Sequence, residues 1–470
     1  MPVLQCRSHT FLYHNELYQF LSNCQQNCAV DSSHIVSISL EVESVDPLAV
    51  LQQIAQPNQL SFYFEHKSDK SAIAAIDAVA QLQTNGVNRF SQAQKFVNSC
   101  LDKIIKVNTS NEVTTSPHFF CSFSFFDTIS QINYPFPAAT IFLPRWQLSR
   151  DGDRCVLVAN FLIDNQTNLS ELYQDWCQKI RTINLSKFQT CSKNDYNSIS
   201  RSQQIQNIKN FKQSIVSSLK LIESNYCQKI VLAHPLDVSC EQPFNLLQSL
   251  ENLRTIHPGC YVFAVSNGKG QNFIGASPER LISISNQQLS TDALAGSAPR
   301  GKTLAEDTKL ANCLLNSKKE RHEHRVVIDF ITQCLNQLGI VPQILSPQLR
   351  QLSNIQHLWT PMQANLPTNV HPLEIVAALH PTPAVAGVSR DVACTKIQDY
   401  ETFERGLYAA PLGWLDDRGN CEFIVGIRSA LLDGDRARLY AGAGIVAGSN
   451  PDREVAEIQL KLQALLKALV

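Results

Sequence analysis

The sequence predicts an α+β fold: large, mainly antiparallel β-sheets packed with helices. Two observations carry that prediction. Strand-like runs come consecutively late in the chain, as RGLYAAPLGWL, EFIVGIRSALL and ARLYAGAGIV. They are separated by turn-forming residues, Asp416 to Asn420 and Asp433 to Asp435. Short turns between successive strands argue for antiparallel pairing, because parallel neighbours need a long crossover. Segments with helical period lie apart from these runs, which excludes the regular strand–helix alternation of a doubly wound sheet. With 470 residues, 44% of them hydrophobic and 17% charged, there is ample material for a core.

The elements follow in order. HIVSISLEVESV, LSFYFEH, FFCSFSFF and CVLVANFLI are β-branched or aromatic runs bounded by polar turns, and make residues 1–200 a strand-rich part. The polar stretch LSKFQTCSKNDYNSISRSQQ, 185–204, reads as the connection to a second region, 201–470. There Ile205, Ile208, Phe211, Ile215, Leu219 and Ile222 recur at three- and four-residue spacing and predict an amphipathic helix. Strands are expected over Lys229–Val238, Tyr261–Ser266, Leu281–Ser285 and Leu289–Leu294. Helices are expected over 304–316, 319–337 and 372–379, the last stopped by His380 and Pro381. A final helix begins near Pro451.

Bulk properties narrow the function. Lys plus Arg at 40 against Asp plus Glu at 41 gives no basic excess for nucleic acid, and no basic amphipathic helix suggests a membrane surface. The opening residues contain no apolar run fit for a signal peptide, and no stretch approaches a membrane span in length. A cytoplasmic protein is expected. The 15 cysteines are scattered; only Cys24 and Cys28 lie close together, short of a four-ligand zinc site, and they read as small hydrophobes.

Two carboxylate pairs stand out. Glu320 and Glu323 lie in KKERHEHRVVIDF, and Glu454 and Glu457 in NPDREVAEIQLKL. Spacing of three puts each pair on one helical face, and Lys461 continues the second face a turn on. Such faces are commonly solvated charge; the alternative is that two helices offer carboxylates to one Mg²⁺, a hard cation that prefers oxygen. His322 and His324 flank Glu323 on other faces, which disfavours a transition metal. AGAGIVAGS has Gly442, Gly444 and Gly448 one residue off dinucleotide spacing, and too little chain follows for a βαβ unit. Its glycines could instead let backbone approach a ligand carboxylate. In GASPER, Glu279 follows Ser-Pro between two strand runs, and Lys229 opens the strand KIVLAH. Taken singly, each of these has an ordinary structural reading.

Together they have a specific one. KIVLAH, FIGASPERL, DALAGSAPRGKT, KERHEHRVVIDF, QHLWTPM, LHPTPAVAG, ERGLYAAPLGW, FIVGIRSAL and AGAGIVAGSNP occur in this order. The set closely resembles the chorismate-utilising enzymes: anthranilate, aminodeoxychorismate, isochorismate and salicylate synthases. The resemblance covers roughly 205–470, with only a few fragments such as FLPRWQL before it. It implies that Glu323 and Glu457 bind Mg²⁺, with Glu320 and Glu454 beside them in the ion's shell through water. It implies that Arg428 and Lys461 bind the enolpyruvyl carboxylate of chorismate, helped by Tyr408 and the Gly442 backbone. Gly296 and Ser297 then approach the ring carboxylate, and His357 and Ala384 line the pocket.

Lys229 discriminates within the family. Amine-adding members have an amide side chain at this strand position, whereas water-adding members have lysine. The resemblance therefore implies reversible isomerisation of chorismate to isochorismate: Lys229 activates water for attack on ring carbon two, and Glu279 protonates the hydroxyl leaving ring carbon four. An unperturbed lysine is charged and an unperturbed glutamate ionised at neutral pH, so burial has to push both toward neutrality. A salicylate synthase, which adds pyruvate elimination, is the runner-up; an amine-adding synthase component stands further off. His234 replaces a usual arginine, Val455 a common tryptophan and Ser297 a common threonine. A monomer acting on chorismate is expected, serving menaquinone or siderophore biosynthesis.

Overall fold

The computed structural model describes residues 3–5, 16–29, 32–108, 116–129, 134–185, 199–201, 204–352 and 355–469. Its strands are hydrogen-bonded into one continuous, branching ladder. Pairing is antiparallel except where Ile104–Asn108 runs parallel to Val3–Gln5 and to His34–Val42. The fold class is therefore the one read from the sequence.

The ladder divides at the long Ala139–Asp151 strand, which pairs along its length with Ser71–Thr84. One branch runs from Ser71–Thr84 through Leu60–His66, Tyr261–Asn267, Gln271–Ser277, Ser429–Asp433 and Arg436–Val446 to Lys229–Cys240. The other runs from Ala139–Asp151 through His118–Phe123, Pro411–Asp416, Cys421–Val425, Arg280–Ser285 and Gln288–Pro299 to Ile355–Asn365. Ladders thus cross between the first 200 residues and the remainder, at Leu60–His66 with Tyr261–Asn267 and at His118–Phe123 with Pro411–Asp416.

Two segments switch branches side by side. Pro278 and Glu279 join Gln271–Ser277 to Arg280–Ser285, and Gly426 to Arg428 join Cys421–Val425 to Ser429–Asp433. They brace each other: Val425 N donates to Glu279 O at 3.1 Å, and Ala276 N to Arg428 O at 3.1 Å. Corners of this kind are where strands leave one packed sheet for another. The corner explains one departure from expectation. EFIVGIRSALL reads as one strand but breaks at Arg428, whose φ of 51° lies in the left-handed region that a branched-out side chain rarely adopts. Likewise RGLYAAPLGWL is strand only over Pro411–Asp416, the earlier residues forming turns.

The expected helices are present as Gln204–Glu223, Leu304–Asn316, Lys318–Gln337, Pro372–Leu379 and Pro451–Leu469. Two of them begin at the gap between the branches. Ser317 caps Lys318–Gln337 by accepting from Glu320 N at 3.3 Å. Asn450 Oδ1 accepts from Asp452 N and Arg453 N at the start of Pro451–Leu469, with Pro451 at a position that needs no donor. Much of the 185–204 connection lies outside the described residues. Cys24 and Cys28 are buried, the latter donating to Ile163 O.

Candidate active site

Where the two branches face each other beneath these helix starts there is a cavity of about 210 Å³. Every site residue singled out from the sequence lines it. Lys229 comes from the first residue of its strand, Glu279 and Arg428 from the paired corners, and Gly296, Ser297 and His357 from the other branch. Tyr408 and Ala384 come from loops, Glu320 and Glu323 from one helix, and Glu454, Glu457 and Lys461 from the other. Lys319, Val231 and Ile427 also line it and were not anticipated; of the other two glycines of AGAGIVAGS, Gly444 lines it and Gly448 does not. Gly444 shares the strand face of Gly442 two residues away.

The glycines keep the cavity open. A Cβ on Gly442 would stand 2.8 Å from the Tyr408 hydroxyl, and one on Gly444 3.0 Å from Lys229 Cε. Gly296 has a φ of +77°, and a Cβ there would press on Glu320 at 3.2 Å. That turn allows Ser297 N to donate to Glu320 Oε2 at 3.1 Å. In a usual capping box the acid at this helix position reaches back to the cap; here Glu320 reaches the opposite strand instead.

Glu279 is only 6% exposed. Burial pushes its carboxyl up to about 8, aided by Asp292 and opposed by the charge of Lys229. At neutral pH it therefore holds its proton, as a general acid must. Lys229, 5% exposed, has its Nζ 2.6 Å from Glu323 Oε1, so the expected base and an expected metal ligand are in direct contact. For Glu323, burial raises the carboxyl but the Lys229 charge and hydrogen bond outweigh it, leaving it below the ordinary range.

Arg428 and Lys461 bring positive charge to the cavity wall. Arg428 Nη2 lies 3.3 Å from His357 Nε2, and Ser297 Oγ lies 2.9 Å from His357 Nδ1. Burial, then Arg428 and Lys461, push His357 down to about 3. It is neutral, so Nε2 accepts from the guanidinium and Nδ1–H donates to Ser297. Lys461 Nζ donates to Gly442 O at 3.0 Å and pairs with Glu457 at 2.7 Å. An Arg fork beside a lysine and a phenol suits a carboxylate.

Four carboxylates, Glu320, Glu323, Glu454 and Glu457, line the cavity as well. Burial and the neighbouring charges of Glu323 and Glu457 raise Glu320; burial raises Glu454, with Glu457 adding to it. Such mutual repulsion favours a cation, and an all-oxygen donor set suits a hard one such as Mg²⁺. Among the described residues no three acidic, histidine or cysteine side chains already surround one point closely enough to hold an ion. Lys229 and Lys461 are the counter-charges to Glu323 and Glu457 as they stand.

The chain matches the chorismate binding enzyme family over residues 19–470. It belongs to that family. The match extends well before residue 205, where the motifs legible in the sequence begin. Among its relatives, a salicylate biosynthesis isochorismate synthase of Pseudomonas aeruginosa is 32% identical over 453 residues, 94% of this chain and 91% of the relative. The isochorismate synthase MenF of Bacillus subtilis is 29% identical over 94% of each chain. Among solved structures, the menaquinone-specific isochorismate synthase MenF of Escherichia coli superposes with a TM-score of 0.77 at 25% identity, covering 98% of this chain and 99% of that one. Anthranilate synthase component I of Streptococcus pneumoniae, 20% identical with a TM-score of 0.68, shares the fold.

Proposed function

We propose that this protein is an isochorismate synthase, converting chorismate reversibly to isochorismate. The observation that carries this reading is Lys229 at the cavity wall together with a buried Glu279 whose carboxyl is protonated at neutral pH. Lysine at this position goes with water as the nucleophile. Magnesium is the expected cofactor: Glu323 and Glu457 would hold it, with Glu320 and Glu454 beside them, and it would supply charge neutralisation at the ring carboxylate of chorismate.

The chain's own residues supply the rest. Arg428 and Lys461, with Tyr408 and the Gly442 backbone, hold the enolpyruvyl carboxylate, while Gly296 and Ser297 lie against the ring carboxylate. Lys229 takes a proton from water as its oxygen bonds to ring carbon two. The ring double bonds shift, the bond from ring carbon four to its hydroxyl breaks, and Glu279 gives that hydroxyl its proton. One water is consumed and one released, so substrate and product are isomers. Purified protein with chorismate and Mg²⁺ is expected to yield isochorismate without pyruvate. Stoichiometric pyruvate would shift the reading to salicylate synthase, and a reaction dependent on ammonia would move it to the amine-adding class.

Arg428 gives a second expectation. A charge-assisted hydrogen bond is worth about 1.5–3 kcal/mol. Arg428→Ala should therefore lower kcat/KM by about 10- to 150-fold, chiefly by raising KM. Steady-state kinetics check this, and an unchanged KM and kcat would remove Arg428 from the substrate clamp.

A further inference from the structure

Outside the cavity, a buried ion pair stands against the back of its wall. Arg405 and Glu401 have side chains 1% and 4% exposed. Arg405 Nε donates to Glu401 Oε2 at 2.8 Å and Nη2 to Glu401 Oε1 at 2.6 Å. Two more of its N–H groups go to main-chain carbonyls: Nη2 to Val231 O at 2.8 Å and Nη1 to Val385 O at 3.0 Å. Glu401 Oε1 also accepts from Ala233 N at 2.7 Å.

These bonds complete a strand edge. Lys229–Cys240 pairs on one side with Arg436–Val446 along most of its length. On the other side its opening residues meet only the two-residue strand Gly387–Val388, in the pairs Lys229 with Val388 and Ile230 with Gly387. Val231 N donates to Ala386 O at 2.8 Å, and there the strand partner ends. The next two groups on that edge, Val231 O and Ala233 N, are the ones taken by Arg405 and Glu401. The ion pair thus stands in for a missing strand at Val231 and Ala233, two and four residues after Lys229.

The same guanidinium reaches two further parts of the wall. Val385, which it binds, follows Ala384. Tyr408 N donates to Arg405 O at 2.9 Å, and the guanidinium lies 5.9 Å from the Tyr408 ring and 4.3 Å from that of Phe125. A buried ion pair seldom gives more stability than apolar packing of the same volume. What this one supplies is a fixed geometry for three segments that line the cavity.

We propose that Arg405, held by Glu401, is a positioning residue that sets Lys229, Ala384 and Tyr408 relative to one another without touching substrate. The proposal rests on the isochorismate synthase reading. Its test compares kcat and KM for chorismate in wild type, Arg405→Lys and Glu401→Gln, each checked for folding by circular dichroism. Lysine keeps the charge but loses the planar fork. Since displacements of about 1 Å can cost 10²-fold, kcat is expected to fall about 10- to 100-fold in Arg405→Lys, with KM within about threefold because Arg428 and Lys461 are untouched. Glu401→Gln should show the same split, more weakly, and answers the question if Arg405→Lys does not fold. Millimolar methylguanidinium should restore part of the kcat lost in Arg405→Ala. A folded Arg405→Lys or Glu401→Gln with wild-type kcat, whatever its melting temperature, overturns the proposal. A wild-type protein that makes no isochorismate sinks the functional reading instead, so the two failures are told apart.

Discussion

Lys229→Ala and Glu279→Gln are each expected to depress the conversion of chorismate by about 10²–10⁴-fold, the usual worth of a positioned acid or base. The loss must be equal in both directions, because the ratio of the two is fixed by the equilibrium constant. The forward reaction needs a neutral Lys229 amine and a protonated Glu279; the reverse needs a Lys229 ammonium and a Glu279 carboxylate. These two forms differ only in where one proton sits, so the same two residues serve both directions. Near wild-type turnover in either variant would remove that residue from the acid–base pair.

Removal of magnesium is expected to abolish turnover, and its return to restore it. Glu323→Gln and Glu457→Gln should each lose about 100-fold or more, since a Lewis acid contributes several kcal/mol of charge stabilisation. A second readout does not depend on activity. A cation that binds only the folded protein raises its stability by mass action. Thermal unfolding of the wild type should therefore move up with millimolar Mg²⁺, and that shift should shrink in both variants. Full turnover in a chelator, or an undiminished shift in Glu323→Gln and Glu457→Gln, would remove these carboxylates from the metal site.

Local periodicity carried most of what the sequence disclosed. Helices with a clear apolar stripe, such as Gln204–Glu223, lie within a residue or two of expectation. The site was legible because its residues sit in short motifs whose order is itself informative, and all of them line one cavity. What stayed hidden is non-local. Nothing near Lys229 announces that Glu323, 94 residues on, lies 2.6 Å away. The corner at Gly426 to Arg428 interrupts a run with perfect strand composition, because sheet switching is decided by the neighbours and not by the run. Ser71–Thr84 went unread for a related reason: its alanines favour helix by propensity. It is a strand because Leu60–His66 and Ala139–Asp151 pair with it on either side. Arg405 and Glu401, lying in no helix or strand, carried no sequence signal of their role; only the broken strand edge reveals it.

In the proposed reaction water attacks ring carbon two while the hydroxyl at ring carbon four departs. This is tested most directly by running the purified enzyme with chorismate and Mg²⁺ in ¹⁸O-labelled water and locating the label by mass spectrometry and NMR. Isochorismate is expected to carry ¹⁸O in the hydroxyl at ring carbon two, and chorismate recovered after reversal to carry label at ring carbon four. In Lys229→Ala both incorporations should slow together. Isochorismate whose new hydroxyl carries no solvent oxygen, or near wild-type incorporation in Lys229→Ala, would contradict it.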